Sequence, residues 1–409
     1  MTMFGIKEAV VSPLIRALAD DDLQPAEIAE RFARSAWTGI AEPGDRIAGL
    51  LVAALGPARA LAAVVDRWPT VRIMAAVAEA GTDSLTEVEA TDALKRWQPR
   101  ITSASALIAL KQASRFNVRL LIPGDPEWPM GMADLGLHAP IALWLRGNVS
   151  TMLSLEQSIS LVGARAATGY GEHVTMEASA SLVDRGYSIV SGAAYGIDGM
   201  AHRAALASSG QTVAFLAGGV DRFYPSGHDA LLTRIVESGA VVSELPCGSQ
   251  PTKWRFLQRN RLIAAASQAT IVMEAGWRSG SLNTAGHAAA LGRPLGAVPG
   301  PVTSMASAGC HRLIRDFDAV CVTNAGEMAE LAPLPGAGSD VDQLDGLGEG
   351  ATSEQVRVFD ALSTRSPRTA HDIAARAGLS VASVQAILGA VSIEGSVAER
   401  ERGWVKKLR

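Results

Sequence analysis

The 409-residue chain is poor in aromatic residues, at 5%, and has only three cysteines, Cys247, Cys310 and Cys321. With few aromatics, Ala, Val, Leu and Ile must do most of the packing within a hydrophobic fraction of 48%. The cysteines form no CxxC pair and no Cys/His metal spacing, so they read as small buried hydrophobes in a reducing cytosol. No apolar run reaches the about 18 residues of a membrane span. No basic segment followed by an apolar core opens the chain, so a cytoplasmic protein without membrane contact is expected. Positive charge is lacking overall, with a formal net charge of −4. This excludes a basic coat for nucleic acid but not a local basic groove, because binding follows the local field. There is no GxSxG elbow, no GxxxxGK[ST] loop, no HExxH and no defensible carboxylate pair, and the seven histidines lack ligand spacing. Binding is therefore expected rather than catalysis, with no cofactor and no metal.

What is present falls into segments. Residues 1–115 read as a helical domain, with apolar positions at helical spacing in Ile47–Val65 and Val71–Ala80. Gly56-Pro57 interrupts the first of these, as in a SAM-like or helix-hairpin-helix-like module. Such a turn can hold a DNA phosphate or can simply join packed helices. From about residue 116 to 330, short apolar runs alternate with amphipathic helices. Ser158–Val162, Tyr187–Val190, Thr212–Leu216, Ala240–Ser243, Thr270–Met273 and Pro294–Val298 read as buried strands. Gly171–Asp184, Gly199–Ala207, His228–Glu237 and Thr284–Leu291 read as the helices between them. That alternation implies an α/β, Rossmann-like, mostly parallel sheet covered on both faces. Residues 331–348, rich in Pro, Gly and Asp, read as a flexible linker. Residues 349–409 read as a C-terminal winged-helix-like domain: helices Gln355–Leu362, Thr369–Arg376 and Val381–Glu394, then a wing over Ser396–Leu408.

Ligands of open parallel sheets bind beyond the carboxyl ends of the strands. Here those ends are Gly163-Ala-Arg165 through Gly169, Ser191-Gly192 through Asp198, Gly218-Gly219 through Arg222 and Tyr224, and Gly276-Trp-Arg-Ser279-Gly280-Ser281. Glycine plus a hydroxyl or a cation recurs, which makes a rim suited to phosphate. The first loop has G-x5-G-x-G spacing rather than GxGxxG, and the second strand ends in Ser191-Gly192 rather than an acid for ribose, which argues against a dinucleotide. Arg165 and Arg222 are placed to grip phosphate or stack on a base. Arg259-Asn260-Arg261 either contact phosphate or hold neighbouring loops through backbone carbonyls. Ser279-Gly280-Ser281 form an anion nest, a helix cap, or both. Asp198 reads as the cap of the helix that follows it.

Taken in order, Asp125-Pro126-Glu127-Trp128-Pro129, Val162-Gly163-Ala164-Arg165, Ser191-Gly192 with Gly196-Ile197-Asp198, Tyr224-Pro225, Arg259-Asn260-Arg261, Ser279-Gly280-Ser281 and Val298-Pro299-Gly300 resemble the DprA/Smf family of DNA-processing proteins. The resemblance spans about residues 120–325. It implies a homodimeric single-stranded DNA binder that protects incoming DNA in natural transformation and loads the RecA recombinase. It also implies that Arg165 and Arg222 line the DNA pocket and that the glycine loops contact phosphates. Tyr195 stands where many members carry arginine, Ala164 replaces a serine and Leu257 a proline, which implies a less basic pocket than in relatives.

The C-terminal segment is less easily read as a duplex reader. From Glu349 to Arg409 there are nine Lys/Arg against seven Asp/Glu, and Val381–Glu394 contains neither Lys nor Arg. Major-groove reading normally uses polar or cationic side chains, so a protein contact there is an equal expectation. Two alternatives stand beside single-stranded DNA binding. One is a nucleotide hydrolase of the phosphoribohydrolase type, although Gly276-Trp-Arg-Ser-Gly-Ser departs from its Pro-Gly-Gly-x-Gly-Thr loop. The other is a transcription regulator acting through the winged helix.

Overall fold

The computed structural model describes residues 2–19, 22–81, 84–334, 353–363, 366–393, 396–400 and 403–407. Two compact units result, Met1–Ala332 and Pro333–Arg409.

In the first unit a short hairpin, β1 (Thr2–Met3) and β2 (Ile6–Lys7), precedes seven helices: α1 (Glu8–Leu18), α2 (Pro25–Ile40), α3 (Arg46–Leu55), α4 (Pro57–Val65), α5 (Thr70–Glu79), α6 (Glu87–Trp97) and α7 (Ser103–Arg115). Gly56, at φ +75°, ends α3, and Pro57 opens α4, so the expected interruption becomes a 115° bend between two helices. Large buried aromatics anchor this segment. Trp37 and Trp97 are buried edge to face with centroids 5.2 Å apart, and Trp144 Nε1 donates to Thr38 Oγ1 at 3.1 Å.

The α/β segment contains β3 (Arg119–Leu121), β4 (Leu143–Gly147), β5 (Ser158–Gly163), α8 (Gly169–Asp184), β6 (Ser188–Ser191), α9 (Ile197–Ala207), β7 (Thr212–Phe215), α10 (Asp229–Ser238), β8 (Ala240–Ser243), α11 (Lys253–Ala266), β9 (Ala269–Glu274), α12 (Ser281–Ala290), β10 (Leu295–Ala297), α13 (Ala308–Asp316), β11 (Val320–Cys321) and α14 (Ala325–Glu330). The nine-stranded sheet runs β11-β10-β9-β5-β6-β7-β8-β4-β3. From β11 to β8 neighbouring strands are parallel; β4 and β3 join antiparallel at one edge. The strands expected from the sequence all form, within one residue or so at their ends. The antiparallel pair was not expected.

Period-two alternation divides the sheet between two cores. Val213, Phe215 and Val242 join α11 and α12 on one face. Ala214 and Val241 join Trp37, Phe32 and Trp97 of the helical segment on the other. Residues 1–115 thus share one core with the sheet, and the boundary expected at residue 115 lies inside this unit. The chain steps from β5 through β6 and β7 to β8 on one side, then returns to place β9 on the other side of β5. The carboxyl ends of β5 and β9 therefore flank a topological switch point, where such sheets open a crevice.

The second unit comprises α15 (Ser353–Ala361), α16 (Ala370–Ala377), α17 (Val381–Ile393) and the antiparallel pair β12 (Val397–Arg400) and β13 (Gly403–Lys406). Thr369 caps α16, Gly378 ends it in the left-handed region at φ +62°, and Val358, Ile373, Leu388 and Val397 form its core. Most of the expected linker, residues 335–348, lies outside the described residues, as do Glu394 and Leu408.

Candidate nucleic-acid interface

A groove of about 890 Å³ opens at the switch point. Its walls are Gly163 to Ala166 after β5, the first turns of α11, and the loop around Arg278 to Ser281 after β9, with Tyr224 at one side.

A buried acid shapes the first wall. Glu274, 2% exposed at the end of β9, accepts from Thr168 N at 2.8 Å and from Thr168 Oγ1 at 2.6 Å. Its backbone oxygen accepts from Ala164 N at 2.7 Å. Thr168 Oγ1 in turn caps α8 through Gly171 N. A Cβ on Gly171 would lie 2.4 Å from Glu274 Oε2, so glycine there admits the carboxylate. The loop is held from behind, and Arg165 projects from it into solvent with its guanidinium 5.1 Å from the Phe256 ring centroid.

The expected arginines on α11 have a different position from Arg165. Arg259 is 6% exposed, and its Nη1 donates to Gly192 O at 2.5 Å and Phe215 O at 2.6 Å, tying the ends of β6 and β7 together. Burial lowers its pKa to about 10. Arg261 donates through both terminal nitrogens to Glu244 at 2.8 Å, and to His138 O. Of the two roles open to this pair, the geometry realises loop and core bracing. Arg259 and Asn260 still border the groove, but Arg261 does not. A Cβ on Gly192 would sit 2.1 Å from Arg259 Nη1, so this glycine makes room for the arginine.

Asp198 corrects another expectation. It does not cap α9; its buried carboxylate turns back to accept from Gly192 N at 3.2 Å and Ala194 N at 3.3 Å. Burial raises its pKa despite nearby Arg259 and these donors. His202 is fully buried on α9; its Nδ1 meets Thr212 Oγ1 at 2.7 Å, and burial lowers its pKa to about 3.

Other expected residues scatter. Ser191 Oγ donates to Leu161 O at 2.6 Å in the core. Gly169, Gly218 and Arg222 lie outside the groove lining, with Arg222 exposed. Ser279, Gly280 and Ser281 line the groove, and no side chain caps α12. The two hydroxyls bond each other at 2.8 Å. The simple capping role is thus not taken.

Lys253 and Arg278 also line the groove and were not singled out from the sequence. Both are exposed, and neither forms an ion pair among the described residues. Phe256 was given no role either, and Tyr224 was named only within its strand-end loop; their rings lie 5.6 Å apart, tilted by 55°. Three cations without an ion pair among the described residues, Arg165, Lys253 and Arg278, and two aromatic rings therefore meet at the switch point of a chain whose net charge is negative. Cations meet phosphate, and rings stack on bases.

The family model described as "DNA recombination-mediator protein A" matches residues 119–333. A second, described as "DprA winged helix domain", matches residues 345–401. The chain belongs to the DprA/Smf family. It is 44% identical over 315 residues to the putative DNA processing protein DprA of Mycobacterium tuberculosis, covering 72% of this chain and 78% of that one. It is 37% identical over 233 residues to protein Smf of Escherichia coli, covering 57% and 60%. The crystal structure of DNA processing protein A from Streptococcus pneumoniae aligns with 74% of this chain and 97% of its own, with a TM-score of 0.57 at 27% identity. This DprA-family chain therefore has the family's α/β domain and C-terminal winged helix. Among the described residues, no single helix is long and apolar enough to cross a membrane.

Proposed function

We propose that this DprA-family protein binds single-stranded DNA in the switch-point groove and passes it to the RecA recombinase, acting as a cytoplasmic homodimer that performs no chemistry on the strand. The observation that carries the reading is the convergence of unpaired Arg165, Lys253 and Arg278 with Phe256 and Tyr224. Cations suit phosphates of either DNA form, but stacked rings need bases that are not already stacked in a duplex. The α12 N-terminus and the Ser279-Gly280-Ser281 loop would take a further phosphate. Arg222, exposed but outside the groove lining, would reach only a strand that continues past it. Absence of catalysis is supported by the placement of Asp198 and Glu274, which are buried and engaged in holding loops.

The test is binding of oligo(dT) and of duplex DNA by the full chain, with and without Arg165→Ala. Tighter binding of the single strand that depends on Arg165 is expected. Equal affinity for both forms, or release of free base from a nucleoside monophosphate, would replace this reading.

A further inference from the structure

We infer that the helical segment carries a second DNA contact, separate from the groove: a phosphate-backbone site around Trp68 on the α4–α5 corner. It rests on the proposed DNA binding and extends it. Arg72 stacks on the Trp68 ring with its guanidinium 3.6 Å from the centroid, and Arg59 approaches the same ring at 5.9 Å. Arg67, next to Trp68, is exposed, as are Arg59 and Arg72. None of the three guanidiniums forms an ion pair or a hydrogen bond among the described residues; Asp66 and Glu79, the acids on this corner, pair with none of them. Five other arginines of the helical segment do have an acid: Arg31 with Asp125, Arg34 with Glu30, Arg46 with Glu89, Arg96 with Asp45 and Arg100 with Glu42.

Guanidiniums gathered on one ring without a counter-acid repel one another, and a polyanion relieves that repulsion. Trp68 is partly buried against the core, so it holds the two arginines on a rigid base. Spaced, planar donors over a flat surface suit successive phosphodiesters of an extended strand rather than one small anion. None of these residues lines the groove, so only DNA long enough to leave the groove can reach them. The Gly56-Pro57 turn, singled out in the sequence as a possible phosphate contact, leads directly into Arg59.

The experiment compares R59Q/R72Q with the wild-type full chain on dT oligomers of about 6 and about 40 nucleotides across a salt series, one length within and one well beyond typical single-strand site sizes of about 4–16 nucleotides. Each single-strand phosphate contact contributes about 0.7 to the salt slope, so losing two should lower the slope by about 1.4 and the affinity roughly 25-fold at about 0.1 M salt. That loss is expected on the long oligomer only, with the short one unchanged and with Arg165→Ala weakening both. A thermal melt of R59Q/R72Q checks that the fold is intact. Unchanged long-oligomer affinity in a folded R59Q/R72Q overturns the second site while leaving the groove standing. If the wild type binds neither oligomer, both readings fall.

Discussion

The change Arg261→Ala separates bracing from binding most cleanly. Arg261 and Glu244 form a bidentate pair whose side chains are 4% and 10% exposed, and Arg261 also donates to His138 O at 2.9 and 3.1 Å. Truncating one partner of a buried pair leaves the other charge uncompensated, at a cost of about 3–5 kcal/mol. A unit of this size loses about 1.4 °C of melting temperature per kcal/mol, so the midpoint should fall by roughly 4–7 °C. Differential scanning fluorimetry or circular dichroism would measure it. Below the melting transition, single-stranded DNA affinity should stay within a factor of about two, because Arg261 does not line the groove. The double change Arg261→Met with Glu244→Leu removes both charges and should recover most of the loss. A variant that melts like wild type but no longer binds DNA would refute the bracing role and return Arg261 to the ligand.

Three further outcomes follow from the same contacts. Arg165→Ala should weaken oligo(dT) about fivefold at about 0.1 M salt, flatten the salt slope by about 0.7, and leave the melting temperature within about 1 °C, as competition titrations and melts would show. Glu274→Ala should cost about 1–3 kcal/mol by orphaning the two Thr168 donors and should also weaken DNA by loosening the Arg165 loop; urea titration and binding together check both. Buried His202 stays neutral in the folded protein down to about pH 3, whereas in the unfolded chain it takes a proton near pH 6.5. The unfolded state thus binds the extra proton, so stability falls as pH drops from about 6.5 toward 3, by at most about 1.4 kcal/mol per unit from this group, and His202→Gln should flatten that part of a stability–pH curve.

The parallel strands were legible because each is a continuous apolar run buried on both faces, such as Ile189-Val190 and Ile271-Val272-Met273. The antiparallel edge was not, since Arg119–Leu121 and Leu143–Gly147 are too short and mixed to show a period. The position of the groove was also legible: strand-end loops carrying Gly163, Arg165 and Ser279 to Ser281 line it. The duties of individual charges were not. Arg259 finds its partners 67 and 44 residues away at Gly192 O and Phe215 O, and Arg261 finds Glu244, so only the folded chain shows that they face inward. Lys253 escaped for the converse reason, because an isolated cation near a helix start carries no pattern, and Arg278 was read only as part of its strand-end loop. The resemblance in ordered motifs supplied the family, and the match over residues 119–333 agrees with it.

The most direct test of the groove is a salt titration of oligo(dT) and of a duplex of equal length, with the wild-type chain and with R165A/K253A/R278A. The account predicts that the wild type prefers the single strand and that the triple substitution lowers the single-strand slope by about 2 while the fold is kept. A wild type that binds duplex as tightly, or a triple variant with unchanged slope and affinity, would contradict it.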